Sequence, residues 1–313
     1  MLNRRHIRIK VLQAFYAFFQ SNNEDVLKGE KELFHSIEKI YDLYVFILML
    51  FPSLKRQALI QIEEAKRSEY LRQDIHILKT GFIDNQLVDL IEQSKVLQKI
   101  SKDRKINWEG DVENDLTKKI FKEVYQTDYY KNLLQSESTS FNDDKDALVQ
   151  LYKKEICNLE KLHHFFDEKS IYWQDDLDHV SSMILKTLKS ITEDQELEIL
   201  PLWKEDEYEF TQNLFRKAVL QKEENDAVLQ TYSKNWEKER LATMDSLLMN
   251  LAMTEALEFS SIPIKVTLNE YIEISKFYST PKSNSFINGI LDRIFEDYKK
   301  DGKLVKRGRG LIN

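Results

Sequence analysis

Chain breakers are scarce in this sequence: seven glycines and four prolines are spread over 313 residues. Glycine supplies the positive-φ positions that tight hairpins, phosphate loops and nucleotide-binding turns require. So few of them predict long helices joined by short polar connections, and argue against dinucleotide-binding, phosphate-loop and many-stranded folds. Hydrophobic residues make up 42% of the chain and charged residues 32%. That is enough to bury a core, in one large domain or two ordinary ones, under a charged surface. The expected class is all-α.

Cys157 is the only cysteine, so no intrachain disulfide can form and zinc-ribbon spacings are ruled out. The longest apolar run, Val45 to Phe51, is far below the roughly 20 residues of a membrane helix. The N-terminus is basic and then apolar, as in a signal peptide. Gln13 and Gln20 interrupt the apolar stretch on a helical period, however, and no small-residue cleavage site follows. A cytoplasmic protein with no membrane partner is expected.

The net charge of −7 hides an asymmetry. Residues 1–10 carry Arg4, Arg5, Arg8 and Lys10 without an acid, a net +4. Residues 299–313 carry six lysines and arginines against Asp301, a net +5, which leaves −16 on the rest. An acidic body with two basic ends repels nucleic acid everywhere except at those ends. The alternative is that charged termini merely aid solubility.

Residues 4–21 predict a helix with Ile7, Val11, Leu12, Ala14, Phe15, Phe18 and Phe19 on one arc. Arg5, His6, Lys10, Gln13, Tyr16 and Gln20 lie opposite. Arg4 and Arg8 fall inside the apolar arc, so the first turn is expected to project beyond the core. Further helices are expected near 28–51 (closed by Pro52), 53–79, 84–103, 112–135, 145–165 and 174–191, with a loop at 137–146. Beyond residue 205 the pattern predicts helices near 206–222, 225–235, 239–259, 264–278 and 284–299. No fixed-period repeat is evident.

Nothing marks a catalytic site. No G-x-S-x-G elbow or comparable turn gathers the scattered Ser, His and Asp. Cys157, His163, His164 and Asp167 match no standard metal spacing, and ordinary packing and solvation explain them better. Asp175, Asp176, Asp178 and His179 read as the acidic first turn of a helix, without the Gly and Glu of a calcium loop. The N-terminal helix says more. Arginine forks match phosphate oxygens, and an exposed Tyr16 ring can stack on an unpaired base. A boundary core position for Tyr16, its hydroxyl in water, fits the pattern equally well.

Three stretches carry a family resemblance. Asn3 to Ser21, NRRHIRIKVLQAFYAFFQS, has an arginine-rich start leading into a helix with a Q-A-F-Y core. Asn235 to Glu255 holds W-x-x-x-R-L followed by a D-x-x-L-M helix. Ile262 to Ile294 holds P-x-x-V-x-L-N-E-x-I-E-I-S-K, a short loop, and then S-F-I-N-G-I-L-D. Their order and separation make the chain resemble the NusB transcription-antitermination family over roughly residues 1–22 and 205–300. FTQNLF at Phe210 to Phe215 resembles that family's third helix.

The resemblance implies a NusB-like pair of helical bundles with an additional helical insertion in the N-terminal half. Expected parts are a first helix with its basic start (1–22), an inserted or elaborated region (23–204), the NusB-like remainder (205–300) and a basic tail (301–313). The implied function is binding boxA-type single-stranded RNA of ribosomal RNA transcripts together with the small-subunit ribosomal protein NusE. That pair would join the RNA polymerase elongation complex and carry it past terminators. No cofactor, metal or catalytic residue is implied. The implied RNA surface includes Arg4, Arg5, Arg8, Gln13, Tyr16, Lys282, Phe286 and Asn288. The implied protein-partner surface includes Glu255 and Glu258. Asn269 and Glu270 would orient a helix–loop junction, and Gly289 would permit close helix packing.

Two other classes compete. NusB-like domains also precede rRNA cytosine methyltransferases, but that enzyme needs a glycine-rich cofactor loop and a catalytic cysteine in a further domain. Only residues 301–313 follow the resemblance here. The other is a helical protein-interaction scaffold whose RNA site has lapsed. The acidic insertion is expected to avoid the RNA path, because like charge opposes phosphate.

Overall fold

The computed structural model describes residues 2–22, 24–67, 81–135, 140–193, 195–204, 206–233 and 242–311. Among them there is no strand, and the fold is all-α. The helices are α1 (Arg4–Gln20), α2 (Val26–Arg67), α3 (Gln86–Gln93), α4 (Lys95–Arg104), α5 (Asp111–Gln126), α6 (Asp128–Gln135), α7 (Phe141–Leu151), α8 (Glu160–Lys169), α9 (Leu177–Ser190), α10 (Glu207–Tyr232), α11 (Thr243–Glu258), α12 (Ile264–Tyr278) and α13 (Ser283–Lys300). A π-helical turn, Tyr152–Ile156, continues α7. Contacts divide the chain into two compact units, Met1–Ile37 with Leu202–Asn313, and Glu38–Pro201. Residues 26–37, expected in the insertion, thus group with the first unit.

In the first unit, α1 is capped by Asn3, whose side chain accepts from the His6 amide at 2.9 Å. Its apolar arc is buried through Ile7, Val11, Leu12, Phe15 and Phe18, each worth about 1.5–3 kcal/mol relative to exposure. Phe18 meets Phe215 of α10 edge to face, with centroids 6.0 Å apart. α11 is buried on nearly every side, Leu247 through Ala256, which marks it as the central helix. On α13, Ile287, Ile290, Leu291, Ile294, Phe295 and Tyr298 repeat at helical spacing and form the buried face.

The second unit has an aromatic core. Trp108 stacks on Phe165 at 5.6 Å and meets Phe46 edge to face at 4.7 Å. The indole N–H groups of Trp108 and Trp173 donate to the carbonyls of Phe46 and Lys39 at 2.9 and 2.6 Å. α2 is long and apolar enough to cross a membrane by length and composition, yet 72% of its most apolar stretch is buried inside the protein.

Several expected boundaries move. Pro52 does not end a helix: α2 runs through it, because Phe51, Leu54, Ala58 and Ile62 are all buried and packing outweighs the lost N–H. Instead, breaks fall at Ser94 and Thr127, dividing expected single helices in two. Ser94 caps α4 through its side chain. The expected loop at 137–146 is helical from Phe141, because Ser140 caps α7 by accepting from the Asp143 amide at 3.2 Å. Residues 137–139 of that loop, and 68–79 of the expected 53–79 helix, lie outside the described residues.

Candidate nucleic-acid interface

Two hydrogen-bond sets fix the direction of α1 on α12. Arg5 donates to both carboxylate oxygens of Glu270, Nε at 2.8 Å and Nη2 at 2.9 Å. Eight residues further along both helices, the Gln13 amide donates to the Tyr278 hydroxyl at 3.2 Å. The helices therefore run parallel. The next turn of α1 brings Tyr16 to the level where α12 ends and the short Ser279–Lys282 link leads into α13. Ser279 fixes this link by bonding Asp245 and, at 2.9 Å, the Ser283 hydroxyl.

Tyr16 is 40% exposed, so the ring is on the surface. Lys282 is exposed immediately before α13, and Phe286 and Asn288 are half-buried on its first turns. The Asn288 amide donates to Asp292 at 3.1 Å, one turn on. Arg4 lies over the Phe210 ring at 4.1 Å and donates to Asp206 at 2.6 Å. Arg4, Arg5, Gln13, Tyr16, Lys282, Phe286 and Asn288 all belong to the first unit.

Arg8 and Glu255 are corrections. Each was expected on a binding surface. Arg8 Nε and Nη2 instead donate to the two oxygens of Glu255, both at 2.7 Å, with side chains 3% and 0% exposed. Thr267 donates to the same carboxylate at 2.7 Å and Tyr271 at 3.3 Å. Burial works to lower the Arg8 pKa, but the charge and hydrogen bonds of Glu255 outweigh it and the net shift is upward. Burial also raises the Tyr271 phenol far above its ordinary range. The first turn of α1 accordingly does not project beyond the core, and this pair joins α1, α11 and α12. Lys10, expected on the polar side, is also buried.

Other expectations shift too. Glu258 is exposed, as expected of a surface residue, but is already bonded by Gln221 and, at 3.2 Å, by Lys217. Glu270 holds Arg5 rather than a loop junction. Gly289 does not serve close packing, since a Cβ built there meets nothing within 4 Å. Gly29 does: a Cβ there would stand 2.6 Å from the Phe18 ring and 2.9 Å from that of Phe215. Cys157, His163 and His164 are satisfied locally: the thiol bonds the Lys153 carbonyl at 3.2 Å, and His163 Nε2 bonds the Cys157 carbonyl at 2.8 Å. Among the described residues no group of three or more His, Cys, Asp or Glu converges on a metal site.

One aromatic was missed. Phe277 is 82% exposed, on the α12 stripe of Glu270 and Glu273, whose charges both act on Arg5. The signal was available: Thr267, Tyr271, Ile274 and Tyr278 keep the inward period, and Phe277 falls off it.

The sequence compared with known families gives a direct match: the model described as "NusB family" matches residues 186–296. Residues 186–296 belong to the NusB family. This NusB-family segment contains α10 to α13 almost entire, and α1 lies outside it, seated on it through Arg5 and Arg8. Three curated relatives are each called transcription antitermination protein NusB. That of Salinibacter ruber is 44% identical over 104 residues, 33% of this chain and 65% of the relative. That of Chloroherpeton thalassium is 46% identical over 88 residues, 28% and 42% respectively. That of Dictyoglomus turgidum is 37% identical over 95 residues, 30% and 66%. The chain thus spans less than two thirds of the length of each relative. No solved structure matches.

Proposed function

We propose that this protein is a non-catalytic transcription antitermination factor of the cytoplasm. In this reading it binds boxA-type single-stranded RNA of ribosomal RNA transcripts together with ribosomal protein NusE, within the RNA polymerase elongation complex. The observation that carries the proposal is the seating of the arginine-rich α1 on the NusB-family helices, with Tyr16 and Phe277 exposed at one end and Arg4 and Arg5 at the other. Arg4, Arg5 and Lys282 would hold phosphates, Tyr16, Phe277 and Phe286 would stack on unpaired bases, and Gln13 and Asn288 would read base edges. Glu258 would lie on the protein-partner side. Residues 38–201, the second compact unit, are read as the bulk of the insertion.

Arg4 and Arg5 are paired with acids, but both pairs are on the surface, where an ion pair is worth about 0–1 kcal/mol. Phosphate can compete for such cations. The same pairing favours a second reading, in which the arginines only lock α1 in place and the protein is a helical scaffold. Replacing Arg5 with Ala separates the two. The RNA reading expects weaker binding to every RNA with little loss of stability. The scaffold reading expects a loss of stability and no RNA affinity to lose.

A further inference from the structure

The two basic ends of the sequence meet in one place. Arg4 lies on the Phe210 ring at 4.1 Å, and Phe210 packs edge to face on Phe259 with centroids 4.8 Å apart. Lys306 Nζ donates to the Phe259 carbonyl at 3.1 Å, and the Arg307 amide donates to the Ser260 carbonyl at 2.9 Å. Phe259 caps the C-terminus of α11, where outward-facing carbonyls and the helix dipole favour a cation. Burial lowers the Lys306 pKa, and the charge of Glu255 opposes that shift. Lys303 is held nearby, its amide on the Tyr298 carbonyl at 2.9 Å and its ammonium 5.1 Å from the Tyr298 ring. Both Lys303 and Arg307 are exposed.

Helix directions explain the meeting. α1 and α12 run parallel, and the short link after Tyr278 returns α13 antiparallel to α12. α13 therefore ends at the same end of the first unit as the start of α1. Cations separated by some 300 positions in sequence are brought to one end of the first unit, in a chain whose remainder is acidic.

We propose that Lys303 and Arg307 continue the phosphate-binding track of Arg4 and Arg5, so that the RNA held on α1 extends across the segment following α13. Lys306 is the positioning residue that clasps this segment to α11. The occupant is the phosphodiester backbone of single-stranded RNA, and no base-specific contact is required. This rests on the RNA reading above.

The test uses the full chain and two labelled RNAs, a short boxA-type strand and the same strand extended on both sides, titrated over a range of salt. The wild type should bind the extended RNA more tightly. The double variant Lys303→Gln/Arg307→Gln should lose that advantage and keep its affinity for the short strand. Its salt slope on the extended RNA should fall by about 0.7 for each lost contact, about 1.4 in all. Lys306→Met, which removes only the clasp, should lose part of the same advantage. An unchanged preference and slope in the double variant overturns the inference. If Arg5→Ala still weakens the short strand in that case, the RNA reading itself stands. A wild type that binds neither RNA overturns both.

Discussion

Arg8 of α1 and Glu255 of α11 form a two-pronged ion pair, both bonds 2.7 Å long, with neither side chain open to water. A buried pair of this kind costs desolvation to form but far more to break, because removing one partner strands the other charge. Glu255→Gln or Arg8→Met should therefore destabilise the first unit by about 3–5 kcal/mol. The double variant Arg8→Met/Glu255→Leu should recover part of that loss, with Thr267 and Tyr271 left short of an acceptor. Urea unfolding of the three proteins checks this, and a mild, additive effect of the single changes would contradict it.

Position 6 gives stability a pH dependence. Burial, then the charges of Lys10 and Arg5, lower the His6 pKa to about 4. The folded state thus holds a neutral ring where the unfolded chain takes up a proton near pH 6.5. The stabilisation is complete above pH 6.5 and is lost as pH falls from there toward 4, by roughly 3 kcal/mol at the limit. His6→Gln should flatten this part of the curve when unfolding free energy is compared at several pH values. Parallel curves for the two proteins would remove the assignment.

Two helical glycines should respond in opposite directions. Gly29→Ala drives a Cβ into the Phe18 and Phe215 rings, an overpacking that costs about 1–3 kcal/mol and exceeds the propensity gain of about 1 kcal/mol. Gly289 opens onto free space, so Gly289→Ala should stabilise by about 0.5–1 kcal/mol. Thermal unfolding of both variants tests this, and a shared sign would count against the packing described.

Local pattern made much of this fold legible. The helix expected at 264–278 is found with those bounds, because its inward residues keep a clean 3.6 period and Pro263 opens it. The break expected between residues 222 and 225 is absent. Asn225 looks like a chain breaker, but its amide reaches Thr254 Oγ1 at 3.1 Å and α10 runs on. The apolar arc of α1 already placed Arg8 inward. What made inward burial possible was Glu255, 247 positions away, and no local periodicity encodes such a partner. The same holds for Lys306 on Phe259. Motif residues on helix surfaces were readable, whereas cross-helix polar pairs were not.

Tyr16 separates stacking from packing. With the ring 40% exposed, Tyr16→Ala should leave the thermal midpoint nearly unchanged and weaken RNA binding by about 1–3 kcal/mol, the worth of a stacked base. Tyr16→Phe keeps the π-face and should be mild. Lowered stability in Tyr16→Ala with intact binding would return this residue to the core.

The measurement that reaches the central claim is a fluorescence-anisotropy titration of the purified chain with boxA-type RNA and a scrambled strand, with and without NusE, over a range of salt. The account predicts tighter binding to the boxA-type strand, a further gain with NusE, and a log–log salt slope near −0.7 for each phosphate contact. Equal affinity for the scrambled strand, or binding indifferent to salt, would contradict it.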